Sequence, residues 1–271
     1  MEGKKKDERT SKTKKIVKWI KTRTFKSYMI KFAGRILIFL FFLFFYIRDK
    51  NELYRLMNQP IRMGITPVHI LWVIFMLIML EHIFPPEQVT MAMKKANIPV
   101  PESWAREKAP SDNPVYQELE LLKFVQDMNQ KAWKVLLVWL IGNGVVGLLY
   151  LVGVLQDVDL FMLTVFFFLS DYICILVFCP FQTGIMKNRC CVNCRIYDWG
   201  HFMMFTPMLF IRNFFSWSLF FTSCVVLIRW EIIYAKYPER FWYGSNEKLQ
   251  CRNCQDRQCQ LKKRLGGMGR E

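Results

Sequence analysis

The sequence predicts an all-α fold: a polytopic membrane helical bundle of four to five transmembrane helices with a Cys-rich, metal-binding loop and tail. Three observations carry this expectation. Of the 271 residues, 53% are hydrophobic and 16% aromatic, and the mean hydropathy is +0.13. The 22% that are charged stand apart from the apolar ones, so that long runs hold almost no Lys, Arg, Asp or Glu while the ends and loops hold nearly all of them. Seven of the nine cysteines gather on either side of the last apolar segment. This composition excludes a disordered or collagen-like chain and speaks against an ordinary soluble enzyme. The formal net charge of +16 fits basic tails lying on a lipid bilayer with anionic lipids, and nucleic acid is not an expected partner.

Residues 1–32 form a basic N-terminal segment, cytoplasmic or interfacial, and residues 33–84 hold the first two transmembrane helices. The first helix, 33–47, is short for a span unless it begins near Tyr28 and lets Lys31 and Arg35 snorkel to the surface. The second, 66–84, has Pro67 in its first turn and stops at Pro85 and Pro86, which cannot continue a helix. Residues 85–132 read as an extended loop and then an amphipathic interfacial helix, with Leu119, Leu122, Val125 and Met128 at helical spacing. Residues 133–181 form a transmembrane hairpin whose helices, 133–155 and 160–181, are joined by a short turn in which Asp157 and Asp159 are expected to cap a helix. Gly142, Gly144, Gly147 and Gly153 give the third helix a smooth face for internal packing. Residues 182–200 are a Cys-rich loop, 201–230 a fifth apolar segment and 231–271 a basic, Cys-rich tail. The fifth segment contains Pro207, Arg212 and Asn213 and reads as one kinked span or a re-entrant segment. An arginine facing lipid at that depth is costly, so Arg212 is expected to pair with Asp171.

The basic stretch before the first helix places the N-terminus in the cytoplasm, with the chain in a bacterial inner membrane and the first helix acting as an uncleaved anchor. Four crossings plus a re-entrant fifth segment keep the basic tail on that same side and bring the two cysteine groups together, whereas five crossings separate them.

The cysteines carry the chemical reading. Cys174 and Cys224 lie inside apolar runs and are expected to be small buried hydrophobes. Cys191 with Cys194, and Cys251 with Cys254, form two C-x2-C knuckles, and Cys190 and Cys259 are further donors beside them. A C-x2-C turn sets two thiolates on one side of a tight loop, so two knuckles can close a tetrahedral sulfur site. The expected cofactor is an iron–sulfur cluster used in membrane-associated electron transfer, with a redox partner protein or quinone as its counterpart. The alternatives are structural zinc that staples the tail to the loop, and a thiol–disulfide relay. Arg189, Arg195, Arg252 and Arg257 flank the knuckles and are expected to stabilise thiolates. Cys179-Pro180-Phe181 with Gly184 resembles the Cys-Pro elements of membrane-bound polyferredoxins; the resemblance covers those residues only, and the dense C-x2-C-x2-C-x3-C-P run is absent.

Among the histidines, His69 and His82 lie roughly 20 Å apart along one helix and cannot share a metal or haem. His201 either joins the Cys194 knuckle as a mixed ligand or sits at the membrane interface beside Tyr197 and Trp199. No nucleophile elbow, phosphate loop, H-E-x-x-H or dinucleotide fingerprint occurs, so no catalytic residue is assigned. Asn143 and Gln182 are expected to act as polar glue between helices; with Asp171 and Arg212 they could instead line the path of a small transporter.

Overall fold

The computed structural model describes residues 23–60, 65–84, 114–188, 194–246 and 249–250, which are all-helical with no strand among them. The α-helices are α1 (Arg23–Arg48), α2 (Lys50–Asn58), α3 (Pro67–Ile83), α4 (Pro114–Leu151), α5 (Asp157–Leu176), α6 (Gly200–Phe205) and α7 (Phe214–Lys236). Short 3-10 turns cover Tyr197–Trp199, Thr206–Phe210 and Pro238–Phe241, and a π-helical turn covers Phe181–Ile185. Among the described residues four helices, α1, α4, α5 and α7, are long and apolar enough to cross a membrane; α3 is apolar apart from His69, Glu81 and His82 and has 17 residues, about 26 Å of helix. Leu37, Phe44, Ile47, Leu137, Ile141, Leu148, Phe221 and Ile228 on these helices are exposed, the pattern of surfaces that face lipid rather than water.

Local chemistry sets the element ends. Asp49 caps α2 by accepting from the Asn51 N–H at 2.8 Å. At the start of α3, Pro67 occupies the first turn and the Thr66 N–H donates to His69 Nδ1 at 3.2 Å. Asp159 accepts from the Gln156 N–H at 2.8 Å and so closes the first turn of α5, as expected, while Asp157 accepts from the Tyr150 hydroxyl at 2.8 Å. Asn213 accepts from the Ser216 N–H at 2.7 Å and starts α7.

The bundle has two ends. Helix α1 runs antiparallel to α5: Tyr46 reaches Asp159 at one end, and the Tyr28 and Tyr172 rings lie 6.2 Å apart at the other. Helices α3 and α7 run parallel, with His69 on Phe215 at one end and the Arg229 guanidinium donating to the His82 carbonyl at the other. The segment through α6 and the following 3-10 turn runs back along α7, since Trp230 Nε1 donates to the Arg195 carbonyl and Trp217 Nε1 to the Leu209 carbonyl. The start of α1 and the ends of α3, α5 and α7 therefore meet at one end, here the proximal end; α2, the 152–156 turn and residues 211–213 form the distal end.

Three readings of the apolar segments change. Helix α4 is one continuous helix of 38 residues, so the amphipathic stretch and the third span are a single rod; nothing from 115 to 151 breaks it, and Gly153 ends it with a φ of 81°. Helix α5 stops at Leu176 ahead of Cys179-Pro180 instead of reaching residue 181. The fifth segment is neither one kinked span nor a simple re-entrant loop. A short helical pass of 11 residues, Gly200 to Phe210, crosses about 19 Å, turns at 211–213 and returns as the full-length α7. Pro207 in the 3-10 turn and Asn213 as a cap make that break, because neither suits a helix interior.

Candidate functional site

At the proximal end six ionisable side chains, each from a different element, converge inside the bundle. Arg35 of α1 donates to Asp171 of α5 at 2.9 Å and to the Phe168 carbonyl at 2.5 Å, and its guanidinium lies 4.0 Å from the centres of both the Phe168 and Tyr172 rings. The start of α6 passes directly over this pair: a Cβ on Gly200 would come within 2.9 Å of the Asp171 carboxylate, so a larger residue there forces the carboxylate or the turn to shift. The next residue, His201, meets His82 at the end of α3, with ring centres 4.5 Å apart. His82 Nδ1 donates to the Ile78 carbonyl at 2.9 Å, so its Nε2 is left facing Asp198, 3.9 Å away. Arg229 of α7 completes the group by donating to the His82 carbonyl at 3.0 Å.

Electrostatics make the group unusual. Asp198 is 5% exposed, and burial pushes its carboxyl up to about 6, against the pull of the His82 and Arg229 charges. It can therefore hold or release a proton near neutral pH beside an imidazole whose Nε2 is turned toward it. His201 Nδ1 is buried and has no hydrogen-bond partner among the described residues. Fixed guanidinium charges flank the group on both sides, and among the described residues no three His, Cys, Asp or Glu side chains come together as a metal site.

The cysteine loop adjoins this cluster. Cys194 is 7% exposed and lies in a core with Val135, Met186, Trp199 and Trp230, against which Phe241 packs. Such a ring-walled, water-poor setting keeps solvent from the sulfur and favours the neutral thiol over the thiolate. Arg195 beside it is 5% exposed; it donates to both carboxylate oxygens of Glu231 and lies 3.7 Å from the Tyr234 ring centre. Its guanidinium is thus held on α7 by Glu231. Trp199 Nε1 donates to the same carboxylate, so Glu231 clamps both ends of the 195–199 turn. Gln250, which precedes Cys251 in the sequence, donates to the Tyr243 carbonyl, and Tyr243 in turn packs on Phe124 of α4. Cys190, Cys191, Cys251, Cys254 and Cys259 lie outside the described residues, as do Arg189, Arg252 and Arg257.

Several expectations are corrected by these contacts. Asp171 pairs with Arg35 and not with Arg212, because α1 packs on α5 whereas residue 212 sits at the opposite end of the bundle, exposed in the distal turn. Arg35 accordingly does not snorkel outward. His201 is neither a partner of Cys194 nor an interfacial residue, since it faces His82. Asn143 and Gln182 bond locally, to the Trp139 and Asn188 carbonyls, and bridge no helices through those bonds. Asp198, Arg229 and Glu231 were not singled out by the sequence; an acid followed by Trp-Gly-His, and an Arg next to Trp-Glu inside the last apolar run, are the signals that mark them. No known protein family, curated protein or solved structure matches the chain.

Proposed function

We propose that the chain is an integral membrane protein of electron transfer. In this reading Cys191, Cys194, Cys251 and Cys254, with Cys190 and Cys259 as further donors, hold an iron–sulfur cluster at the proximal face, which the basic N-terminal segment turns toward the cytoplasm. The observation that carries it is the shared border of the two cysteine groups: Cys194 and the residue before Cys251 are anchored on the same proximal core around Phe124, Trp230 and Phe241. A cluster bound there supplies one-electron storage and transfer. The chain's own residues do the rest. Glu231 holds the 195–199 turn against α7, rings of Trp199 and Trp230 exclude water from Cys194, and the buried Asp198 carboxyl, facing His82, can take up a proton as negative charge arrives nearby.

The test is anaerobic purification in detergent, with an absorption spectrum and analysis of iron, sulfide and zinc on one sample. Visible absorption that bleaches with dithionite, lost in Cys194→Ser and Cys254→Ser, supports the reading. A colourless sample with stoichiometric zinc replaces it with a zinc-stapled scaffold, which the Glu231 clamp also favours because it already fixes the loop to α7.

A further inference from the structure

An apolar cavity of 280 Å³ opens into the distal half of the bundle, and neither the cysteine site nor the ionisable cluster uses it. It lies between α1, α3, α5 and α7, and its inner wall includes Phe75, Phe168 and Phe205. The Phe75 ring stands edge-on to both Phe168 and Phe205, with centres 5.4 and 5.3 Å apart. Arg35 stacks on Phe168, so a single layer of rings separates the cavity from the charged cluster. The volume is nearly twice the ~150 Å³ apolar cavity that, once engineered into a protein core, stays dry and takes up benzene. Unfilled space of that size in a packed interior forfeits dispersion contacts on every wall, so an apolar occupant is favoured.

Two features define the occupant. Ile38 of α1 and Ile74 of α3 both line the cavity and are 40% and 46% exposed, so it has a sideways mouth on the lipid-facing surface, well inside both helices. Three polar groups in or beside its inner walls are already satisfied: the Thr164 hydroxyl donates to the Leu160 carbonyl, the Ser216 hydroxyl to the Met208 sulfur, and Trp72 Nε1 to the Ser218 hydroxyl. A quinone ring would find these donors committed and leave its carbonyls unpaired, whereas a hydrocarbon chain needs none. We propose that this cavity is a binding site for a phospholipid acyl chain, which enters from the bilayer between Ile38 and Ile74 and ends against the Phe75, Phe168 and Phe205 rings.

The experiment uses the full chain purified in detergent, washed to remove loosely held lipid, and analysed for retained phospholipid and quinone by native mass spectrometry and by mass spectrometry of the organic extract. Wild type is expected to retain about one phospholipid per chain. Val165→Phe, which fills the cavity from α5, is expected to reduce retention to near zero, and Ile141→Phe, on the exposed face of α4, to leave it unchanged. Ile74→Trp at the exposed mouth provides the same loss without touching the packed wall, should Val165→Phe fail to fold. Retention that is absent in wild type, unaffected by filling or blocking the cavity, or made up of isoprenoid quinone overturns the proposal.

Discussion

Replacing Asp198 by Asn tests whether the buried carboxyl is held out of its normal ionisation range by its surroundings. His82, His201, Arg35, Asp171 and Arg229 all belong to its cluster, yet burial outweighs the favourable charges and moves the carboxyl from 3.8 to about 6. That difference corresponds to about 3 kcal/mol between the protonated and ionised forms. Because the folded value lies above the unfolded one, the stability contributed by the protonated carboxyl is fully present below pH 3.8 and is lost as pH rises through about 6. Asparagine stays neutral throughout. Wild type and Asp198→Asn should therefore have similar thermal midpoints near pH 4, and the variant should become the more stable protein by up to about 3 kcal/mol near pH 8, a shift of roughly 6–12 °C. Tryptophan fluorescence during heating in detergent reads this directly, since Trp199 and Trp230 lie beside the cluster. Two curves that stay parallel across that range, or a variant that loses ground as pH rises, would refute the burial argument.

Three further outcomes test the packing. Arg35→Ala removes the partner of the Asp171 carboxylate, which is 33% exposed, and should cost about 2 kcal/mol, whereas Arg212→Ala should lie within about 0.5 kcal/mol of wild type; equal effects of the two would contradict the Arg35–Asp171 pairing. Gly147→Ala drives a methyl group to 2.3 Å from the Phe210 ring and should destabilise by about 1–3 kcal/mol, a loss relieved by Phe210→Leu, while Gly142→Ala, with open space around it, should be neutral or stabilising in the same melting assay. Arg195→Ala should cost about 2 kcal/mol, less than a fully buried pair, because Glu231 is 37% exposed and water can take over its charge; a midpoint equal to wild type would remove the clamp from the account.

The sequence made the helices legible where one residue type decides. Pro67 and Pro85 bracket the second apolar segment, and the acids of the 157–159 turn announce a helix start. It misled where a partner had to be chosen. Arg212 and Asp171 looked like a pair because both are charges in apolar runs, and the pairing rule names no geometry; only the antiparallel packing of α1 on α5 brings Arg35 to Asp171. The glycines of α4 were read as one face, yet only Gly147 meets a neighbour that needs it, while Gly142 and Gly144 look out on open space. The two histidines of the cluster lie 119 positions apart, 82 to 201, and periodicity within one helix cannot relate them.

The short pass at 200–210 explains why the charged group sits at the proximal end. Non-helical backbone at membrane depth is tolerated only when protein covers it or its polar groups are satisfied. At the distal turn the Asn213 side chain takes the Ser216 N–H and Trp217 takes the Leu209 carbonyl, so the break can be closed without water. At the other end the pass begins with Gly200 and His201, straight from the 3-10 turn that carries Asp198. Gly200 lets that turn sink until Asp198 and His201 lie among α3, α5 and α7 rather than in a surface loop. A bulkier residue at 200 would either push the Asp171 carboxylate off Arg35 or lift the turn, and with the turn both the carboxyl facing His82 and the Cys194 segment held against α7.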